Sequence, residues 1–340
     1  MDHVLITGAG GYIGSVLVDE LLRAGYRVTA VDRFFFGENV HHRHLNNQNF
    51  CQRKVDIRDL RPPDFEGVDS VCDLAALSND PSADIDPALT EAINFSGRLH
   101  VATCAKEAGV RRYVLSSSCS IYGVGNDDTL DENAPPRPLT AYAKASYKAE
   151  QSTGALASKD FTWVTVRNAT VFGLSRRMRF DLVVNLMTLN AVQKGKIFIL
   201  GGGRQWRPLI HVRDVCAAMI SILQAPSDKI QGQLFNVGFA NYQVLSLAYV
   251  VRETLPFPIE VEIAPDDADK RNYKVSFDKL SERIGFRPSI TIAEGIREIY
   301  GAMKEGQIFP TPETSTVNWY RTLLDAERLV DRVKLNGRLL

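Results

Sequence analysis

The chain has no surplus of charge of either sign: 40 Lys+Arg stand against 40 Asp+Glu. No net field therefore draws in a polyanion, and no basic stripe longer than a few residues marks a nucleic-acid face. Long apolar runs are missing too, since none approaches the roughly 20 residues that span a bilayer. The opening MDHVLITGAGG lacks a charged region followed by an apolar stretch and a cleavage site, so no secretory leader is expected. Cysteine is scarce, with 5 residues at 51, 72, 104, 119 and 216, an odd number without a C-x-x-C pair. That pattern excludes a disulfide scaffold and points to free thiols in a reducing compartment, the cytoplasm. Repeats and low-complexity tracts are absent. What remains is an ordinary globular composition, 45% hydrophobic and 24% charged over 340 residues, enough for one large domain and a smaller one.

Short β-branched runs alternate with longer helix-like segments through the first half. His3–Thr7, Tyr26–Asp32, Ser70–Ala75, Tyr113–Ser117 and Trp163–Arg167 read as strands, with helices over Tyr12–Ala24, Pro87–Ala108 and Ala141–Ser158. Pro135, Pro136 and Pro138 stop the last helix from starting earlier. Strands alternating with helices predict parallel βαβ units and an α/β, doubly wound Rossmann sheet. Residues 1–173 are expected to form that dinucleotide-binding domain, with 209–240 (Leu209–Leu223 and Gln233–Val237 within them) returning to it. Residues 174–208 and 241–340 are expected to form a smaller, mixed substrate-binding subdomain with a helical tail.

The first strand is followed by Thr7-Gly8-Ala9-Gly10-Gly11-Tyr12-Ile13-Gly14, a G-x-x-G-x-x-G turn opening an amphipathic helix. Such a turn lets a pyrophosphate approach bare backbone and meet helix N–H groups. Asp32, 18 residues past Gly14, ends the second strand. A carboxylate there accepts from both ribose hydroxyls and repels a 2′-phosphate, favouring NAD over NADP. Arg33 next to it is the residue that would swing over a 2′-phosphate, or else stack on adenine.

These features occur in order with VDIRDL, LAA, INFSG, SSSCSIYG, TAYAKASYKAE, RNATVFG, GGGRQWRPLIHVRDV, FNVG, DKRNYKVS and GFRPSITIAEGI. Up to about residue 300 the chain thereby resembles the extended short-chain dehydrogenases, in the nucleotide-sugar epimerase/dehydratase branch typified by UDP-galactose 4-epimerase. The resemblance implies a homodimeric NAD enzyme acting on a nucleoside-diphosphate sugar. It implies cofactor contacts from Gly8, Gly11, Tyr12, Ile13, Gly14, Asp32, Arg33, Asp56, Ile57, Leu74, Ala75, Ala76, Asn94, Tyr142 and Ala169. Ser118 and Tyr142 take the catalytic hydroxyl positions, with Glu150 eight residues beyond the tyrosine. Ser118, Thr170, Arg207 and Arg271 would face the substrate, the arginines gripping its diphosphate.

Two departures matter. The family's Tyr-x-x-x-Lys ends here in Ser146, on the helix face of Tyr142, while Lys144 and Lys148 point elsewhere unless the helix is distorted. The cationic role is then vacant or filled from another part of the chain. A non-catalytic NAD-binding sensor that has lost its chemistry is the alternative. Secondly, family 4,6-dehydratases carry Asp-Glu after the catalytic Ser/Thr, and this chain has Cys119-Ser120. Epimerisation or 4-keto reduction is expected rather than dehydration. His41, His42 and His44 are spaced poorly for a metal, and none is expected. Phe34–Phe36 should pack at the adenine edge or on a neighbouring loop, and Cys119 should line the pocket as a small inert residue.

Overall fold

The structure, a computed structural model, describes residues 1–264 and 271–339. In chain order the strands are β1 His3–Thr7, β2 Arg27–Asp32, β3 Phe50–Lys54, β4 Ser70–Asp73, β5 Arg112–Ser118, β6 Val124–Leu130 and β7 Thr162–Asn168. They continue as β8 Thr170–Phe172, β9 Lys196–Ile199, β10 Trp206–His211, β11 Gln233–Val237, β12 Ala240–Gln243, β13 Glu260–Ile263 and β14 Asn272–Val275. Seven of them form one parallel sheet in the order β11-β7-β5-β4-β1-β2-β3. β1 and β7 are buried along their whole length, as the near-continuous apolar runs of parallel strands require.

After β3 the chain returns across β1 to lay β4 on its other side. The strand order therefore reverses between β1 and β4, and a crevice opens beyond their carboxyl ends, the usual binding place in such sheets. One apolar core, which includes Leu17, Leu21 and Met219, involves Tyr12–Arg23 and Val212–Gln224; another, which includes Phe65, Val101 and Tyr113, involves Arg98–Glu107. A third cluster joins the helices Val183–Lys194, Val244–Thr254 and Ile292–Lys304 under the C-terminal half.

The sequence-based strands and the first helix lie where expected, to within two residues. β3 was not anticipated, because FCQRK is a half-exposed edge strand with little apolar signal. The expected helix 87–108 is three pieces: Pro87–Glu91, a π-helical turn Ala92–Gly97, and Arg98–Glu107. π-turns are rare and frequently sit at functional sites. β11 pairs with β7 at the edge of the central sheet, whereas β10 joins β8 and β12 in a separate three-stranded sheet.

Candidate active site

The turn after β1 is shaped by two glycines. Gly8 has φ +69°, and a Cβ there would lie 2.7 Å from the Leu74 carbonyl carbon; at Gly14 it would lie 2.2 Å from the Gly8 oxygen. No side chain fits at either, so the first helix starts tight against the strand. Tyr12 pins this helix from above, its hydroxyl donating to the Gly173 carbonyl at 2.6 Å and accepting from Asn185. His41, buried below, pairs its Nε2 with the Ala9 carbonyl at 3.0 Å; burial lowers its pKa to about 4, so it is a neutral donor. His42 and His44 have other partners, the Asn39 carbonyl and Asp19, so the three histidines do not converge.

A cleft of about 590 Å³ runs from this turn over the crevice, within the usual range for small-molecule sites. At one end Asp32 accepts from the Gly10 N–H at 2.9 Å and the Phe34 N–H at 2.6 Å. Burial raises the Asp32 pKa, and those two donors oppose the rise. Arg33 leans away, to Asp56 at 3.2 Å and over the Phe35 ring at 4.6 Å. Asp56 is held by Arg58, which lowers its pKa to about 2. Asp56, Ile57, Leu74, Ala75, Ala76 and Ile13 all line the cleft. Asn94 does not: it is buried, and its amide accepts from the Leu77 N–H at 2.8 Å and donates to the Leu77 carbonyl at 3.1 Å. It holds the loop after β4 through Leu77, with its side chain turned into the protein rather than lining the cleft.

Ser118 ends β5 and caps a 3-10 turn, accepting from the Ser120 N–H at 3.1 Å. Ser118 and Tyr142 line the same cleft, and the Ser118 hydroxyl favours the Tyr142 phenolate. Tyr142 stands in the first turn of the helix Ala141–Gly154, whose N-cap Thr140 accepts from the Ala143 N–H. Farther along, Glu150 clasps Arg167 of β7 through three hydrogen bonds of 2.7–3.2 Å, and Arg167 reaches the Tyr122 hydroxyl at 2.9 Å. This buried ion pair fixes the helix on the sheet. Burial raises the Tyr142 pKa and Asp80 raises it further; Arg98, Arg179 and the Ser118 hydroxyl pull it down.

Ser146 is buried and does not line the cleft. Lys144 is exposed, and Lys148 is exposed and paired with Glu91. The helix is not distorted to bring either lysine to Tyr142, so neither replaces the family's cation. Two buried cations from other parts of the chain, Arg98 and Arg179, favour the Tyr142 phenolate. Arg98, directly after the π-turn, bonds Asp73 at 3.1 Å and the carbonyls of Asp73 and Ser116 at 2.8 and 2.6 Å. Asp73 also accepts from Thr7 and Tyr113, both at 2.5 Å. Cys119 lies in the core rather than the cleft, its thiol donating to the Arg167 carbonyl at 3.1 Å, and burial raises its pKa, away from any nucleophilic role.

At the other end of the cleft Ala169 and Thr170 lead into Arg207 and Arg271. Arg207 bonds the Arg271 carbonyl, and Arg271 pairs with Asp80, which also accepts from the Thr140 hydroxyl. Asp80 thus links the arginine pair to the cap of the Tyr142 helix. Sequence reading missed Asp80, Arg98, Arg177, Arg179 and Tyr320. A charge at position 98, inside an otherwise apolar helix face, was the one available signal. Four buried polar atoms on cleft-lining residues have no protein partner: Ser117 Oγ, Ser120 Oγ, Asn168 Oδ1 and Arg177 Nε. Together with the glycine cradle they fit a long ligand bearing hydroxyls and phosphates.

The fold and this site define an α/β protein with a parallel sheet, whose cleft takes in a glycine-rich βα turn, Tyr142, Arg207 and Arg271. The family model described as the NAD dependent epimerase/dehydratase family matches residues 4–238, and the chain belongs to that family. UDP-glucuronic acid decarboxylase 2 of Arabidopsis thaliana is 28% identical over 336 residues, covering 93% of this chain and 73% of that protein. UDP-glucuronic acid decarboxylase 1 of Danio rerio is 27% identical over 307 residues, covering 87% and 71%. Among solved structures, MoeE5 in complex with UDP-glucuronic acid and NAD superposes with a TM-score of 0.77 at 25% identity, over 90% of this chain and 100% of that one. UDP-glucose 4-epimerase from Thermotoga maritima shares the fold, with a TM-score of 0.80 at 24% identity over 90% and 100%. No helix among the described residues is long and apolar enough to cross a membrane.

Proposed function

We propose that this chain is an enzyme that moves a hydride between a bound nicotinamide cofactor and the sugar of a nucleoside diphosphate sugar, either epimerising it by transient oxidation with NAD or reducing a 4-keto sugar with NADH. The observation that carries the reading is the Tyr142–Ser118 hydroxyl pair, set between the glycine cradle and the Arg207–Arg271 pair in one cleft. Bound NAD supplies a hydride acceptor and donor. Tyr142 takes the proton of a sugar hydroxyl as its carbon is oxidised and returns it on reduction, while Ser118 orients that oxygen. Arg207 and Arg271 hold the diphosphate, in keeping with guanidinium's bidentate geometry. Residues 1–173 carry the cofactor and most of 174–310 the substrate.

Dehydration needs an acid and a base beside the sugar, and the positions after Ser118 are a thiol buried in the core and a serine. A second reading, decarboxylation of a uronic acid sugar, is favoured by the curated relatives. Oxidation at C4 places a ketone β to the C6 carboxylate, so carbon dioxide can leave as an enolate forms. Incubating the protein with UDP-glucose and UDP-glucuronic acid and identifying products by NMR separates these outcomes. A C4 epimer, or reduction of an added nucleoside-diphosphate 4-keto sugar with NADH, supports the leading reading, carbon dioxide release the second, and no turnover with any of these sugars the sensor reading.

Arg207→Ala is expected to weaken nucleotide-sugar binding by about 10- to 100-fold, the loss of a charge-assisted hydrogen bond of about 1.5–3 kcal/mol. NAD affinity should change less than about threefold, and calorimetry on both ligands checks the split. NADH should bind more tightly than NADPH, because the Asp32 carboxylate opposes a 2′-phosphate while Arg33 is held by Asp56. Tighter NADPH binding in a fluorescence titration would show that Arg33 sets the preference.

A further inference from the structure

We propose that the C-terminal helix Thr316–Val333 is part of the dinucleotide site, closing the adenosine end of the cleft with Tyr320 and Arg177 so that the cofactor is slow to exchange. The inference rests on the reading that the cleft holds NAD. It also corrects the expected placement of the tail in the substrate half.

Tyr320 lines the same cleft as Asp32 and Asp56, although nearly 290 residues separate it from Asp32. The helix is strapped there by hydrogen bonds and ring contacts. The Trp319 indole donates to the Phe35 carbonyl at 2.7 Å, on the loop directly after Asp32. The Tyr320 ring meets Phe35 edge-on at 6.0 Å and Phe36 at 5.5 Å. The Thr316 N–H donates to Asp181 at 3.3 Å, and the Phe180 N–H to the Thr314 carbonyl at 2.9 Å. Arg177 lies over the Phe36 ring at 3.6 Å and donates to the Thr316 hydroxyl at 2.8 Å.

Three aromatic rings therefore converge beside the carboxylate positioned to read a ribose, with one buried guanidinium among them. Arg177 Nε is buried without a partner in a cleft-lining side chain. A buried donor left unmade is costly, so the site calls for an acceptor there. A purine nucleoside meets each demand: a flat π face for the rings, and ribose or phosphate oxygens for Arg177. The matched family model ends at residue 238, so it does not include this wall.

The test uses the full-length protein and its Tyr320→Ala, Tyr320→Phe and Trp319→Phe variants, each first shown to be folded by circular dichroism. NAD, ADP-ribose and nicotinamide mononucleotide binding are measured by calorimetry, and NAD release by stopped-flow displacement. Tyr320→Ala is expected to speed NAD release about tenfold or more and to weaken ADP-ribose in parallel, with nicotinamide mononucleotide unchanged. Tyr320→Phe should stay near the parent, because the ring remains. Trp319→Phe should speed release severalfold by freeing the strap. If the parent binds NAD and Tyr320→Ala releases it at the parent rate, the clamp is wrong and the cofactor reading stands. If the parent binds neither NAD nor ADP-ribose, the cofactor reading itself falls.

Discussion

Tyr142→Phe is expected to lower turnover by about 10²- to 10⁴-fold, the range that one general acid–base group contributes, while leaving NAD and nucleotide-sugar affinity nearly unchanged. Only a hydroxyl is removed, and the helix that carries it is fixed elsewhere, by the Thr140 cap and the Glu150–Arg167 pair. The melting temperature should therefore stay within a few degrees of the parent. Single-turnover measurement of NADH formation on adding sugar nucleotide isolates the oxidation step from product release. A variant that reduces NAD at the parent rate would remove Tyr142 from the chemistry, and the non-catalytic or another-base reading would gain. Ser118→Ala should cost less, because the sugar oxygen keeps its partner at Tyr142 and loses only orientation.

How much of this was legible beforehand depends on the range over which each feature acts. The βα turn and the strand alternation are local, encoded in glycine spacing and apolar period, and both were readable. That Tyr142 and Ser118 share one cleft was readable because short motifs surround them. The direction of the Asn94 side chain was not readable, because its motif marks a position in the chain and not which way the amide turns, here toward Leu77. Cys119 was placed in the cleft for the same reason, since a 3-10 turn after Ser118 rotates it into the core. Asp80, Arg177 and Tyr320 were invisible because their partners lie far away in sequence. Asp80 meets Arg271 across 191 residues, and Arg177 meets Thr316 across 139. No periodicity encodes such pairs. The break in the long helix at Ala92–Gly97 was equally hidden, because a π-turn inserts one residue per turn without any proline or cap to announce it.

Moving the cation near Tyr142 from one helix to another should transfer its effect on the phenol. Arg98 is one of the two buried charges that offset burial and Asp80 at that tyrosine, and it enters from the helix Arg98–Glu107 rather than from position 146. The sign follows directly. Burial and Asp80 disfavour phenolate, so little of the tyrosine is ionised near neutrality and the oxidation rate should still be rising with pH there. Arg98→Met removes one opposing charge, which should lower turnover about tenfold or more and push the rising limb of the pH–rate profile higher. That variant alone is ambiguous, because it strands Asp73 in the core, and breaking a buried pair costs about 3–5 kcal/mol. Arg98→Met with Asp73→Asn removes both charges, keeps an acceptor for one of the Thr7 and Tyr113 hydroxyls while the other turns to accept from the amide, and should fold while retaining the shifted profile. The decisive variant is Arg98→Met with Ser146→Lys, which rebuilds a cation on the tyrosine's own helix face. It should recover most of the turnover and return the pH limb toward the parent. In the parent background Ser146→Lys should lower activity, since it forces a second cation into a buried site already holding one. A rise on Ser146→Lys alone would instead mean that the site has simply lost its cation and that Arg98 is structural. An unchanged pH profile on removing Arg98 and Asp73 together would carry the same conclusion, leaving Arg179 as the charge that matters at Tyr142.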